Sequence, residues 1–152
     1  MGDYPAKSSQ MTTFDDAAKD VRERFERSDF HSRWLALTLE RVDPGEVDVA
    51  IDVRGHHLNL MGTLHGGMIA TLADTATGLA LRSSLDRGLT FTTTQLGVTF
   101  LAAGREGRIL AKGRVIKSGR RFGYAEADVV DADGRLLARA TATFAVMSER
   151  AQ

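Results

Sequence analysis

The stretch from His65 to about Ser84 constrains the fold most, because it is apolar on nearly every side. Its large side chains, among them Met68, Leu72 and Leu79, recur at helical spacing, which predicts a helix. A membrane span needs about 20 consecutive apolar residues, and every uninterrupted apolar run in this chain is far shorter than that. A helix without a polar face must be covered by protein on all sides. We therefore expect the rest of the chain to wrap around it.

The segments on both sides of this helix alternate between apolar and polar residues, which is typical of strands. Two strands are predicted before the helix, one on Leu35, Leu37 and Leu39 and one on Val47 to Val53, joined by a Pro44-Gly45 turn. Four follow it, near 91–101, 108–117, 121–131 and 135–147, with Asp133-Gly134 as the clearest hairpin turn. The order predicts an α+β fold in which a curved antiparallel sheet wraps around a long central helix.

The amino-terminal part predicts a short amphipathic helix from Phe14 to about Arg33, with Thr13 as its N-cap. We expect residues 1–13 to be disordered and residues 14–148 to form one domain. A chain of 152 residues, 43% of them hydrophobic, suits a single domain and leaves no room for a separate cofactor domain.

Charge and cysteine content exclude several classes of function. Lys plus Arg and Asp plus Glu are both 20, so no net positive field attracts nucleic acid. The chain has no cysteine, which excludes disulfides, thiolate nucleophiles and cysteine zinc sites and agrees with a reducing compartment. The polar first 13 residues lack the apolar core of a secretory signal. We expect a cytoplasmic location and no membrane segment.

Two consecutive glycines, Gly66 and Gly67, open the apolar helix. Because glycine has no side chain, they can allow the end of the helix to pack closely against the sheet. Alternatively, they expose backbone N–H groups at the positive end of the helix dipole, where a carbonyl oxygen that becomes negative during acyl transfer could bind. The second interpretation predicts an oxyanion hole.

Asp74 is the lone acid on this apolar helix. It is either a structural aspartate bonded to backbone or to Thr71, or a general base or nucleophile for hydrolysis. Gly66 and Asp74 are eight residues apart, which is about 12 Å along a helix, so one reacting centre cannot use both from the same chain. If both act, the centre must lie between two copies of the helix in a two-fold dimer.

The residues around this helix form a recognisable motif: Asn59, Gly62, His65-Gly66-Gly67 and Ala70-Thr71-Leu72-Ala73-Asp74. The motif resembles the signature of the hotdog-fold acyl-CoA thioesterases of the phenylacetic acid degradation type, and the similarity extends from about Leu35 to Met147. The resemblance implies that Asp74 is the base or nucleophile and that the Gly66 N–H polarises the carbonyl. It also implies that Asn59 orients the water or the thioester and that His65 lines the site.

The same family places a hydroxyl residue on the strand opposite the acid, and Thr93 matches that position. Regular alternation along this strand puts Thr93 on one face with Gln95, Gly97 and Thr99, and Leu96 on the other face. The β-propensity of threonine would also explain the Thr run without any function.

A further resemblance concerns the loop that touches the nucleotide end of CoA. The residues assigned to substrate binding are Gly67 and the run Lys117, Ser118, Gly119, Arg120 and Arg121. A glycine turn flanked by Lys and Arg suits the phosphates of CoA. The alternative is a solvated hairpin with incidental charge.

The remaining candidate residues are the histidines and four apolar side chains. The four histidines are His31, His56, His57 and His65, and none has a helical His-x-x-x-His spacing; the adjacent His56 and His57 should point apart, so we expect no metal. No cofactor is expected, and the CoA thioester is the substrate. Four apolar residues are read as core and not as acyl pocket: Met61, Met68, Phe91 and Phe100.

Two other activities fit a hotdog fold: an acyl-thioester hydratase or dehydratase, and a non-catalytic acyl-CoA-binding module. Such hydratases pair a histidine with an acid among prolines, and neither Pro5 nor Pro44 is near His65. A pure binding module has no use for an acid at the thioester. By analogy with the family we expect a homodimer that pairs again into a homotetramer.

Overall fold

The computed structural model describes residues 13–149, and the expectation of disorder for residues 1–12 lies outside this range. The helices are α1 (Phe14–Arg27) and α2 (Gly66–Arg82), with a π-helical turn at Phe30–Trp34 and a 3-10 turn at Gly55–His57. The strands are β1 (Thr38–Asp43), β2 (Glu46–Val53), β3 (Leu89–Phe100), β4 (Gly107–Ser118), β5 (Phe122–Asp131) and β6 (Leu136–Ser148).

The six strands form one antiparallel sheet in the order β1-β2-β4-β5-β6-β3. Alternate residues of β2 to β6 point to the face that packs on α2, and β1 contacts α1. The core between the sheet and α2 is made of small and β-branched side chains such as Val49, Ile51, Ala111, Ala127 and Ala140. The predicted α+β arrangement of a sheet wrapped around a central helix is confirmed.

The central helix lies very close to the sheet. A Cβ placed on Gly113 of β4 would overlap the backbone carbonyl oxygen of Ala76 in α2. Only glycine fits there, so α2 touches the sheet backbone with no side chain between them. Small residues on the helix, including Ala73, Ala76 and Ala80, are fully buried for the same reason.

The first helix begins as predicted but ends earlier. The Thr13 hydroxyl accepts the N–H of Asp16, which confirms the N-cap. α1 stops at Arg27, and not near Arg33, because Ser28 leaves helical geometry and its backbone N–H bonds Phe25. The chain then forms the π-helical turn. The predicted strand on Leu35 and Leu37 is wrong, because Ala36 adopts a left-handed φ of 49° before β1 begins.

Two ion pairs fix α1 beside α2. Asp16 lies 2.9 Å from Arg87, just beyond the end of α2, and Asp20 lies 3.1 Å from the buried Arg82. These pairs hold the first half of α1 against the carboxyl end of α2 and the turn that follows it. Within residues 13–149, no helix is both long and apolar enough to cross a bilayer.

β3 is an edge strand of 12 residues that pairs with β6 on one side only. The other edge of β3 leaves its backbone N–H and C=O groups without a strand partner in the described chain. The side chains of its middle part, from Thr92 to Gln95, are exposed.

Candidate active site

Asp74 lies in the middle of α2, half-buried between the fully or largely buried Ala73 and Thr75. Its Oδ1 accepts a hydrogen bond of 3.0 Å from the hydroxyl of Thr93 on β3. The Thr71 hydroxyl instead donates to the carbonyl of Gly67. The structure thus brings Asp74 together with Thr93 and not with Thr71.

A β-bulge directly after Thr93 corrects the predicted faces of β3. The bulge lies between Thr93 and Gln95, so that Thr93 pairs with Phe144 and Leu96 pairs with Ala142. Both partners on β6 are buried, so Thr93 shares the helix-facing side with Leu96. The predicted grouping of Thr93 with Gln95, Gly97 and Thr99 is wrong, because the extra residue shifts the alternation by one.

The amino end of α2 presents one unoccupied N–H. His65 is the N-cap, and its Nδ1 accepts the N–H of Gly67 across 2.9 Å. The N–H groups of Met68 and Ile69 bond the carbonyl of His65. The N–H of Gly66 has no acceptor among residues 13–149. Because Nδ1 of His65 accepts, its neutral ring carries the proton on Nε2. Of the two glycines, only Gly66 can donate to a bound molecule.

The loop before α2 uses most of the Asn59 side chain internally. Its Oδ1 accepts the N–H groups of Met61 and Thr63, and its Nδ2 donates to the Thr63 hydroxyl across 2.9 Å. Gly62 has a φ of 71°, which closes this tight loop. One hydrogen of the Asn59 amide remains for a ligand, so the residue can only donate.

Beside Gly66 lies an open surface cavity of about 370 Å³. It is lined by Asn59, Leu64, Gly66, Ile69 and residues 100–104. The ring of Phe100 covers Gly66: a Cβ added to that glycine would lie 3.3 Å from two ring carbons. The core assignment of Phe100 and Met61 is wrong, since they are 55% and 81% exposed. Phe91 does pack inside, edge-on against Phe144.

The histidines divide between structural and exposed positions. His57 is buried, its Nδ1 accepts the N–H of Arg54 across 3.0 Å, and its carbonyl accepts the N–H of His65 across 2.9 Å. The rings of His56 and His57 lie 3.9 Å apart, so the expectation that they point apart is wrong. The 3-10 turn at residues 55–57 brings them together. In residues 13–149, no three acidic or histidine side chains cluster as metal ligands would.

His31, which the sequence offered only as a metal ligand, is half-buried in the π-helical turn. Burial lowers the pKa of its imidazole, and the negative charge of Asp74 acts in the opposite direction.

The predicted CoA loop lies at the end of the β4–β5 hairpin. Lys117, Ser118, Arg120 and Arg121 are exposed, and the N–H of Gly119 bonds the carbonyl of Phe122. The three cations make no ion pair within the described range, whereas Arg114 and Arg139 on the same sheet pair with Glu126 and Asp128.

The strand pairing relates this loop to Thr93. Ser118 pairs with Gly123, Gly123 with Phe144, and Phe144 with Thr93. These four residues form one row across the sheet, so Ser118 and Thr93 are separated by three strand spacings, or about 14 Å.

The comparison with family models and relatives extends over most of the chain. The model of the thioesterase superfamily matches residues 61–138. The human protein named acyl-coenzyme A thioesterase 13 is 29% identical over 132 residues, which cover 85% of this chain and 94% of that protein.

Solved structures give the same result for the fold. A thioesterase family protein from Silicibacter pomeroyi is 27% identical with a TM-score of 0.83, covering 88% of this chain and 99% of its own. PaaI from the Escherichia coli phenylacetic acid degradation operon has a TM-score of 0.81 at 23% identity, covering 90% and 97%. The smu.793 protein of Streptococcus mutans, solved bound to acetyl CoA, is 30% identical with a TM-score of 0.69, covering 76% and 91%. The hotdog fold is confirmed.

Proposed function

Since the chain belongs to the thioesterase superfamily, we propose that it hydrolyses an acyl-CoA to the free acid and CoA. The observation that carries this proposal is the pair formed by Asp74 and Thr93, a carboxylate held by a hydroxyl at 3.0 Å on an otherwise apolar helix. A hydrolase needs such a base or nucleophile, and a binding module does not.

In this mechanism the thioester carbonyl oxygen accepts the free N–H of Gly66, at the positive end of α2. Asp74 removes a proton from water, and the water oxygen attacks the carbonyl carbon. The carbon–sulfur bond then breaks, its electron pair leaves with the CoA sulfur, and that sulfur takes up the proton held by Asp74. Thr93 donates to Asp74 and has lone pairs left to accept from the same water. Direct attack by Asp74, with a mixed anhydride that water then cleaves, uses the same residues.

We further propose that two subunits share each site. Gly66 and Asp74 are eight residues apart on α2, about 12 Å along its axis, which is too far for one reacting carbon. The open edge of β3 offers a long, exposed strand through which a second copy can extend the sheet. Such a dimer would face the amino end of one α2 towards Asp74 of the other.

The basic run at Lys117, Arg120 and Arg121 is proposed to hold the phosphates of CoA. These three cations have no carboxylate partner in the described part of the chain and so remain available for an anion. The row of paired residues places the loop about 14 Å from Thr93, a separation that the extended pantetheine arm can span. The open cavity beside Gly66, with Phe100 on its wall, would receive the acyl group.

The experiment is free-thiol release from phenylacetyl-, benzoyl-, butyryl-, octanoyl- and palmitoyl-CoA by the native protein, Asp74→Asn and Asp133→Asn. Asp133 lies in the exposed β5–β6 turn, so its variant is a matched control for the same chemical change. We expect one substrate class to be turned over, Asp74→Asn to lose most activity, and Asp133→Asn to keep it. CoA binding without turnover of any substrate contradicts the proposal and favours the binding module.

A further inference from the structure

A short hairpin of residues 57–65 lies between the 3-10 turn and the amino end of α2. At its base, the carbonyl of His57 accepts the N–H of His65 across 2.9 Å. Nearer its tip, the N–H of Asn59 donates to the carbonyl of Thr63 across 2.7 Å. His65 is also the N-cap of α2. The base of the hairpin and the beginning of the central helix therefore meet at one residue.

The side chain of His57 closes the 3-10 turn from which this hairpin starts. Its Nδ1 accepts the N–H of Arg54 across 3.0 Å, and its own N–H donates to the carbonyl of Arg54 across 2.8 Å. The two bonds are reciprocal and join the residue before the turn to the last residue of the turn. The His57 side chain is only 4% exposed, so water does not replace a lost acceptor there. The ring thus fixes the backbone whose carbonyl holds His65.

The other ring nitrogen of His57 shows that Nδ1 is the useful atom. Nε2 is buried and has no hydrogen-bond partner within residues 13–149. Because Nδ1 accepts, the neutral ring carries its proton on Nε2, which leaves a buried N–H without an acceptor in that range. Such a group destabilises the folded state, and an apolar side chain would avoid it. What an apolar side chain could not supply is the acceptor for Arg54.

The N–H of Gly66 takes its position from His65. Gly66 follows His65 as the first residue of α2, and the next N–H, that of Gly67, bonds Nδ1 of His65 across 2.9 Å. On the other side, the N–H of Leu64 donates to the carbonyl of Gly104 across 2.9 Å. A displacement of His65 therefore moves the free N–H of Gly66. A misplacement of about 1 Å at a reacting centre can reduce its rate by up to about a hundredfold.

We propose that His57 is a positioning residue for Gly66, whose Nδ1 acceptor holds the hairpin so that the Gly66 N–H faces the thioester carbonyl. The ring holds the turn, the carbonyl of the same residue holds His65, and His65 carries Gly66. His57 is buried and acts through these bonds without touching the substrate. The effect on catalysis rests on the proposed thioesterase function, whereas the ordering of the helix end does not.

The first test needs no substrate and uses two variants of nearly equal shape. His57→Asn carries an oxygen on Cγ, where the histidine carries Nδ1, and can accept the N–H of Arg54; His57→Leu cannot. Amide hydrogen exchange at His65 and Gly67 should be about tenfold faster than native in His57→Leu and close to native in His57→Asn. The amides of β5 report global unfolding and serve as the internal reference. Equal exchange at His65 and Gly67 in the two variants overturns the inference.

The second test measures kcat and KM on the best acyl-CoA substrate. His57→Leu should lower kcat by about tenfold with KM nearly unchanged, because the Gly66 N–H acts on the transition state. His57→Asn should restore most of kcat, and His56→Leu, at the exposed neighbouring position, should match the native protein. If His57→Leu does not fold, His57→Phe keeps a ring without the acceptor and should show the same loss.

Two outcomes of the kinetic test contradict different statements. Equal kcat for His57→Asn and the variant without an acceptor overturns the role of His57 in catalysis. Absence of turnover by the native protein contradicts the proposed function, and amide exchange then decides whether His57 orders the amino end of α2.

Discussion

The hydroxyl of Thr93 donates to Oδ1 of Asp74 across 3.0 Å and so joins the edge strand β3 to the central helix. The two residues are 19 positions apart, and Thr93 is the last residue of β3 before the bulge. The bond fixes the orientation of the carboxylate on its helix.

Thr93→Val should lower kcat by about tenfold to a hundredfold with little change in stability. The substitution keeps the shape of an exposed side chain and removes the hydroxyl that orients Asp74. A loss of about 1.4–2.7 kcal/mol of transition-state stabilisation corresponds to that change in kcat. Steady-state kinetics on the best substrate check this. Thr93→Ser retains the hydroxyl and should keep most of the activity; an equal loss in both variants would point to packing instead.

Gly66→Pro should abolish most turnover and preserve the fold. Gly66 is the first residue of α2, where proline is well tolerated, and His65 has the extended ψ of 133° that a following proline requires. Proline removes the N–H, and loss of one oxyanion donor costs about a hundredfold or more in kcat. Gly66→Ala is the matched control, because it adds the same Cβ beside Phe100 and keeps the N–H. Equal activity of the two variants would exclude the N–H from the mechanism.

Mixing the Asp74→Asn and Gly66→Pro proteins after unfolding and refolding should restore about one quarter of native activity. Random pairing makes half of the dimers mixed, and each mixed dimer has one intact site when the two residues come from different subunits. Each variant refolded alone is the baseline. If both residues acted within one subunit, the mixture would remain as inactive as its components.

Replacing Lys117, Arg120 and Arg121 together by alanine should raise KM for an acyl-CoA by about tenfold, since exposed charge contacts are individually weak. KM for the matching acyl-N-acetylcysteamine thioester, which lacks the phosphates, should not change. Added salt should raise KM of the native protein in the same way. The control is Arg114→Ala on the same sheet, whose guanidinium already pairs with Glu126. A rise in KM for both substrates would show that the loop supports the structure of the site and does not bind the phosphates.

Stability should fall below about pH 6.5, in part because of His57. Burial lowers the pKa of this imidazole, and the charges of His56 and Arg54 act in the same direction. Between the two pKa values, His57 is protonated in the unfolded chain and neutral in the folded chain. The contribution of His57 to the free energy of unfolding is therefore complete above the unfolded pKa. It decreases as the pH falls from there towards the lowered folded pKa. Thermal melts between pH 7.5 and 5.5 should show a smaller slope for His57→Gln than for the native protein. His56→Gln, at an exposed position, is the control, and equal slopes would contradict the assignment.

The sequence predicts the elements with strong periodicity and misses those that depend on backbone pairing. The apolar run gives α2 within a residue or two, and the bounds of β2 to β6 agree equally well, because burial on one face enforces the alternation. The bulge at Thr93 is different: it arises from the register with β6, which the residue types of β3 do not reveal.

The residues of the site also divide into those that a local sequence pattern reveals and those that it does not. Asp74 stands out because an acid is unusual at the centre of an apolar helix. Gly66 stands out because two glycines are unusual at the start of one. One neighbour of Gly66 does not stand out in the sequence: Phe100 is apolar like a core residue, and its ring lies against Gly66 only in the folded chain.

The contact of Gly113 with Ala76 has a consequence for how this scaffold can change over evolution. The height of α2 above the sheet is set by backbone touching backbone, so the position of Asp74 does not depend on the size of surrounding side chains. Exposed residues beside the site, such as Phe100 and Met61, can then vary without displacing the carboxylate. Selection for a different acyl group can therefore change these residues while Asp74 keeps its position.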